Sequence, residues 1–241
     1  MDAHEIQSEL ERYPLPVELL NQFADVSPDS TEWQKMFGTV RRSIEKKTRP
    51  DRRSLSERVL SECVGGELAE MLLRKELRHV MRCSEKNKST LHSEFKILQG
   101  KEGCRLGACN LRTKGEGNVE FYRFADYSQK FPLREFDALF LRRYMPDHIV
   151  LFDATTSSNV LKKKCSEENV KKFNEFCRLW IGSEIRVDLF HILFSSKEQK
   201  LQTSKNISAL GNIHAVQYRH MPWILPIRDK LKKALMSVPG S

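Results

Sequence analysis

HIVLFDATTSSN, residues 148–159, decides how this chain folds. Apolar side chains stand on consecutive positions from Ile149 to Phe152. That is the pattern of a strand covered on both faces, as in a sheet with helices above and below it. The run ends in Asp153 and then passes into Thr155, Thr156, Ser157 and Ser158, hydroxyl residues suited to a turn. An acid at the exit of a covered strand has two uses. It holds a metal, or it caps the turn by accepting backbone N–H bonds. The residues themselves leave both open.

Downstream, Ser166, Glu167 and Glu168 put a cap and two acids at the start of a helix. Val170, Phe173, Cys177 and Trp180 line one face of it, and Gly182 stands where a C-terminal glycine belongs. The apolar run VDLFHILF, within 185–194, then reads as a second strand. Strand, helix, strand is a crossover unit, which is right-handed by rule. Upstream, residues 134–142 read as a strand carrying Asp137, and a turn containing Pro146 and Asp147 pairs it with the 148–153 strand. Further strands are expected at 93–99, 118–124 and 212–218, and a last helix at Ile227 to Met236.

Ser54-Leu55-Ser56-Glu57 reads as a capping box opening a long helix to about residue 81. Leu55, Val59, Cys63, Leu68, Met71 and Leu72 recur in it at helical spacing. Gly65-Gly66 inside this helix marks a break or a close packing contact. The expected architecture is α/β: a three-layer domain with a central mixed β-sheet over 54–241, preceded by N-terminal helices and a basic linker over 1–53. In the linker, RRSIEKKTRPDRR (41–53) sets seven basic residues against Glu45 and Asp51, and is either a solvated connection or a contact surface.

The chain has 241 residues, of which 39% are hydrophobic and 30% charged, so it can bury a core and keep a polar surface. Its formal charge of +9 favours polyanionic partners such as nucleic acid. No apolar run approaches a membrane span, and the acidic start MDAHEIQSELE is unlike a signal peptide. Six cysteines without a framework pattern fit reduced thiols, so a cytoplasmic location is expected. Cys104 and Cys109 (CRLGAC) have the spacing to open a zinc site, but no second ligand pair follows. His191 reads as a core histidine, and His214 and His220 lack a Ser or Cys partner for a hydrolytic triad.

The chemistry therefore centres on Asp137 and Asp153. Acids on two strands of one hairpin bring their carboxylates to one point, and such hard oxygen ligands suit Mg²⁺. The structural alternatives are an Asp137 paired with Arg134 or Arg143 and an Asp153 that caps its turn.

This arrangement resembles the PD-(D/E)xK nuclease superfamily, the restriction-endonuclease-like fold. The resemblance covers roughly residues 55–220 and implies a Mg²⁺-dependent nuclease, a hydrolase of nucleic acid phosphodiesters. It makes Asp137 the first acid and Asp153 the second, with Glu70 of GGELAEML as the helical acid and Glu67 as its substitute. The position of the family's Lys holds Thr155, which cannot supply that charge. The cation would come from Lys162, Lys163 or Lys164, or it is gone and the fold remains as an inactive module binding nucleic acid or a protein partner. Lys162, Lys163 and Lys164, with Lys171 and Lys172, form a basic cluster suited to phosphate contact. Arg142 and Arg143 at the hairpin turn, and Arg49, Arg52 and Arg53 in the linker, are further candidate nucleic-acid contacts. The bland reading of each group is a solvated charged surface. Glu70 likewise has the bland alternative of a helical ion pair with Arg74 at i+4.

Overall fold

In a computed structural model the chain is described over residues 1–47, 57–98, 103–114, 118–124, 132–195, 213–220 and 224–237. Five helices come first: α1 (Ala3–Arg12), α2 (Val17–Ala24), α3 (Thr31–Lys47), α4 (Glu57–Lys86) and α5 (Thr90–Glu94). Local chemistry sets their limits. Asp2 accepts the Glu5 amide and Glu5 reaches back to the Asp2 amide, a closed capping box. Helix α1 stops at Arg12, since Pro14 forbids helical backbone at the residue before it. Ser30 accepts the Trp33 amide at 3.1 Å and so caps α3.

Among the described residues nine strands follow: β1 (Phe95–Ile97), β2 (Gly103–Leu106), β3 (Cys109–Lys114), β4 (Asn118–Arg123), β5 (Arg134–Phe136), β6 (Ala138–Arg142), β7 (His148–Thr155), β8 (Arg186–Ser195) and β9 (Ile213–His220). Helices α6 (Ser158–Lys164) and α7 (Glu167–Phe176) lie between β7 and β8, α7 running on into a π-turn at Cys177–Ile181. Helix α8 (Ile224–Met236) comes last.

The strands form two sheets. A five-stranded mixed sheet has the order β1-β6-β7-β8-β9, and a four-stranded antiparallel sheet has the order β2-β3-β4-β5. In the mixed sheet β6 is antiparallel to β7, whereas β7, β8 and β9 are mutually parallel. The parallel pair β7–β8 joined through α6 and α7 is the crossover that the sequence predicts.

Alternation along the strands builds two cores. Phe140, Val150, Phe152, Phe190, Ile192 and Phe194 face a cluster shared with α1 to α4 and α8. Leu139, Leu141, Ile149, Leu151, Val187 and Leu189 face a second cluster, shared with α7 and the small sheet. Helices, mixed sheet, and helix with small sheet are thus three layers. Ile6, Leu10, Phe23, Met36 and Val40 of α1 to α3 join the same apolar cluster as α4. The linker arginines Arg49, Arg52 and Arg53 lie outside the described residues.

One expectation needs correction, and two points are added to the sequence reading. The single strand at 134–142 is two strands in two sheets, because the chain changes sheet at Asp137: Phe136 pairs with Val119 and Ala138 with Phe152. Strands β2 and β3 escape a reading that looks for Val, Ile and Phe, since GCRL and CNLRTK carry little of that signal. Helix α4 runs unbroken through Gly65-Gly66, so of the two readings close packing holds, and it holds at Gly65 alone. A Cβ on Gly65 would stand 3.0 Å from Thr156 Oγ1, just beyond β7. Among the described residues, no helix is long and apolar enough to cross a membrane.

Candidate active site at the end of strand β7

The change of sheet at Asp137 leaves the β6–β7 ladder one partner short. The Asp137 amide donates to the Phe152 carbonyl at 3.0 Å, the last main-chain bond on that side. One step further along β7, the Ala154 amide donates to Asp137 Oδ2 at 2.6 Å. A side-chain oxygen thus takes the place of a strand carbonyl. Asp137 is buried, and burial, reinforced by the like charges of Glu70 and Asp153, pushes its carboxyl well above the ordinary value of 3.8. The Ala154 amide and the Lys164 ammonium oppose that shift.

Asp153 projects from β7 on the face opposite α4, the direction set by the alternation of Leu151 and Phe152 on either side. Lys164, at the end of α6, brings its Nζ to 2.7 Å from Asp153 Oδ1 and 3.4 Å from the Ala154 carbonyl. Helix α6 is fixed for this by Ser157, which caps it by accepting the Val160 amide. The second oxygen, Oδ2, lies 3.1 Å from His191 Nδ1, off the line that a hydrogen bond needs. Burial by itself raises the Asp153 carboxyl, but His191 and Lys164 together outweigh it and hold it at about 2.

Glu70 stands on α4, which packs against β7, and Arg74 pairs with it at 3.0 Å, one helical turn on. Glu67 is buried on the same helix. Thr155 is buried, and its Oγ1 accepts the Ser157 amide at 3.2 Å, so it holds the turn after β7. Arg134 spreads over Phe136, Phe173 and Phe176 at 5.2 to 5.7 Å. Burial depresses its pKa, and the charges of Cys177 and Asp153 act against that.

Of the residues that the sequence nominates, the fold gathers Asp137, Asp153, Glu70 and Lys164. Lys162 and Lys163 are exposed on α6, while Lys164 turns inward. Lys162 is therefore replaced by Lys164 as the cation beside Asp153. Arg142 and Arg143 lie at the far end of the hairpin. Arg142 is the last residue of β6 and Arg143 follows it, so at about 3.3 Å per residue they stand five and six residues along from Asp137. There Arg142 pairs with Asp147 at 3.2 Å and Glu94 at 3.6 Å, and Arg143 donates to the His92 carbonyl at 2.9 Å. Neither is grouped with the acids.

His191, read from the sequence as a core histidine, is buried as expected but also stands beside Asp153. Its signal is an alignment: VLFD (150–153) and DLFH (188–191) run parallel in register, which sets His191 beside Asp153. The CRLGAC segment is the β2–β3 hairpin, turning at Gly107 with φ +54°. None of the six cysteines is in a disulfide, and burial raises Cys109 and Cys165 to about 11 and Cys177 to about 12. Among the described residues, no three His, Cys, Asp or Glu side chains cluster as a ready-made metal site.

No family model matches the chain, and neither a curated protein nor a solved structure matches it.

Proposed function

We propose that this chain is a nuclease-like domain of the restriction-endonuclease-like class, acting on nucleic acid phosphodiesters at the end of β7. One observation carries the reading: Asp137, buried where Glu70 and Asp153 add like charge, has its carboxyl pushed well up. Negative charge concentrated at a buried strand end is costly in the bare protein, and a cation relieves that cost. The donor set fits Mg²⁺ in type, since Asp137 and Asp153 offer hard carboxylate oxygens and Mg²⁺ needs only one or two of these from a protein. Bound there, the ion would lower the pKa of a coordinated water and offset charge on the phosphodiester. Lys164 supplies the positive charge that Thr155 lacks and orients Asp153 through Oδ1. Glu70, on α4, adds like charge that raises the Asp137 carboxyl and assists from the helix side.

A second reading draws on the same lysine. Lys164 Nζ lies 2.7 Å from Asp153 Oδ1, so the ammonium itself neutralises that carboxylate. In this reading the acids and the lysine stabilise the fold, and the domain binds nucleic acid or a protein partner without cleaving.

Cleavage of single- and double-stranded DNA and RNA in Mg²⁺ or Mn²⁺ separates the two. The nuclease reading expects activity in the wild type that is lost in Asp137→Asn and Asp153→Asn. Cleavage that survives Asp137→Asn overturns it. A wild type that neither binds the metal nor cleaves favours the second reading.

A further inference from the structure

The β2–β3 hairpin, the end of β4 and the π-turn after α7 meet at one end of the small sheet. The Ala108 amide donates to the Trp180 carbonyl at 2.9 Å, and the Phe124 amide donates to the Ala108 carbonyl at 3.0 Å. Gly107 permits this approach, for a Cβ there would stand 2.1 Å from the Ile181 carbonyl oxygen. On this frame two arginines lie over aromatic rings. The Arg105 guanidinium is 3.9 Å from the centre of the Phe124 ring, and that of Arg123 is 5.2 Å from Trp180.

Arg105, Arg123 and Arg178 are exposed. Phe124 is 47% and Leu179 54% exposed, so the fold leaves large apolar groups open among them. Residues 103–111, 121–124 and 176–181, which build this end, contain no Asp or Glu. The acids of the sheet lie elsewhere: Glu120 is buried with the Tyr122 hydroxyl on it, and Glu135 accepts from Asn118.

An arginine laid on a ring is ordered in advance and keeps its opposite face and N–H fork for a second partner. Flat π surfaces interleaved with three exposed arginines suit a ligand offering flat faces and phosphates together. Unpaired bases do so, whereas a duplex hides its base faces in the stack. An acidic peptide matches the charge alone.

We propose that this end of the small sheet binds single-stranded nucleic acid, with bases stacking on the Arg105–Phe124 and Arg123–Trp180 pairs and Arg178 on the backbone. The proposal deepens the nuclease reading by naming its substrate class, and rests on that reading only for the fate of the strand.

The test is fluorescence anisotropy of a labelled mixed-sequence oligonucleotide, single-stranded or as its duplex, with the full chain in EDTA. Single strands are expected to bind more tightly than the duplex. Phe124→Ala and Arg105→Lys should each weaken single-strand binding by about tenfold, the scale of one lost base stack. Arg105→Lys keeps the charge and removes only the planar surface, and circular dichroism checks that both variants fold. Equal affinity for duplex and single strand, or wild-type binding by Arg105→Lys, overturns the platform. Binding that follows this pattern, with no cleavage once EDTA is replaced by Mg²⁺ or Mn²⁺, leaves the platform standing and the nuclease reading fallen. Cleavage with undiminished binding in both platform variants gives the reverse.

Discussion

Asp137 Oδ2 accepts the Ala154 amide at 2.6 Å, so a carboxylate closes the hydrogen-bond ladder where β6 gives way to β5. The same side chain carries the highest electrostatic cost at the site, because it is buried near Glu70 and Asp153. The acceptor role favours any oxygen, and the charge favours none.

Asp137→Asn and Asp137→Ala should therefore differ. Alanine leaves the buried Ala154 amide without its acceptor and should destabilise by about 1–3 kcal/mol. Asparagine keeps an oxygen and removes the charge. A carboxyl whose folded pKa is raised stabilises fully below its unfolded pKa, and that contribution is lost as pH rises through the folded value. Wild-type stability should accordingly fall with pH above about 4, and Asp137→Asn should lose that slope. Urea denaturation at several pH values measures both effects, and equal stabilities for the two variants would dismiss the acceptor role.

Much of this fold is legible in residues 134–195. The consecutive apolar run of β7 announces a doubly covered strand, and the capped helix before VDLFHILF announces the crossover. The small sheet is legible only in part: β4 stands out, but β2 and β3, although paired in local hairpins, are short on the β-branched and aromatic residues that mark a strand. Asp137 and Asp153 are visible as acids interrupting apolar strands. Lys164 is visible only as one of three adjacent lysines, and His191 only as a core histidine, since the cap of α6 and the parallel register are what bring them to Asp153.

The two glycines of α4 offer a paired test of the close approach to β7. A Cβ on Gly65 meets Thr156 Oγ1 at 3.0 Å, whereas one on Gly66 meets nothing within 4 Å. Gly66→Ala should stabilise by roughly 0.5–1 kcal/mol through helix propensity. Gly65→Ala should lose that gain or destabilise, because either Thr156 or the helix has to shift. Opposite signs in urea denaturation would confirm the packing, and equal gains would show that Thr156 moves freely.

Lys164→Met should cost more stability at neutral than at acid pH. Asp153 is held at about 2 by His191 and Lys164, which outweigh its burial. A carboxyl whose folded pKa is lowered stabilises above its unfolded pKa, and that contribution is lost as pH falls toward the folded value. Removing Lys164 takes away part of it, about 1–3 kcal/mol at pH 7, and the difference between variant and wild type should shrink below about pH 4. A difference that is constant with pH would mean that the Lys164 stem matters through packing alone.

Divalent metal gives the last prediction. Ligands that bind only the folded state raise its stability by RT ln(1 + [L]/Kd), about 2.7 kcal/mol at a hundredfold excess over Kd. If Asp137 and Asp153 hold Mg²⁺, the ion should raise the melting temperature of the wild type and not that of Asp137→Asn/Asp153→Asn. Mg²⁺ should also remove the alkaline slope due to Asp137, since a cation neutralises the charge that Glu70 and Asp153 make costly. Ca²⁺, with the same charge and oxygen preference, should stabilise without supporting cleavage if the two effects are separable. A melting temperature indifferent to Mg²⁺, Mn²⁺ and Ca²⁺ at neutral pH would leave Lys164 as the cation of this site and the acids as parts of the fold.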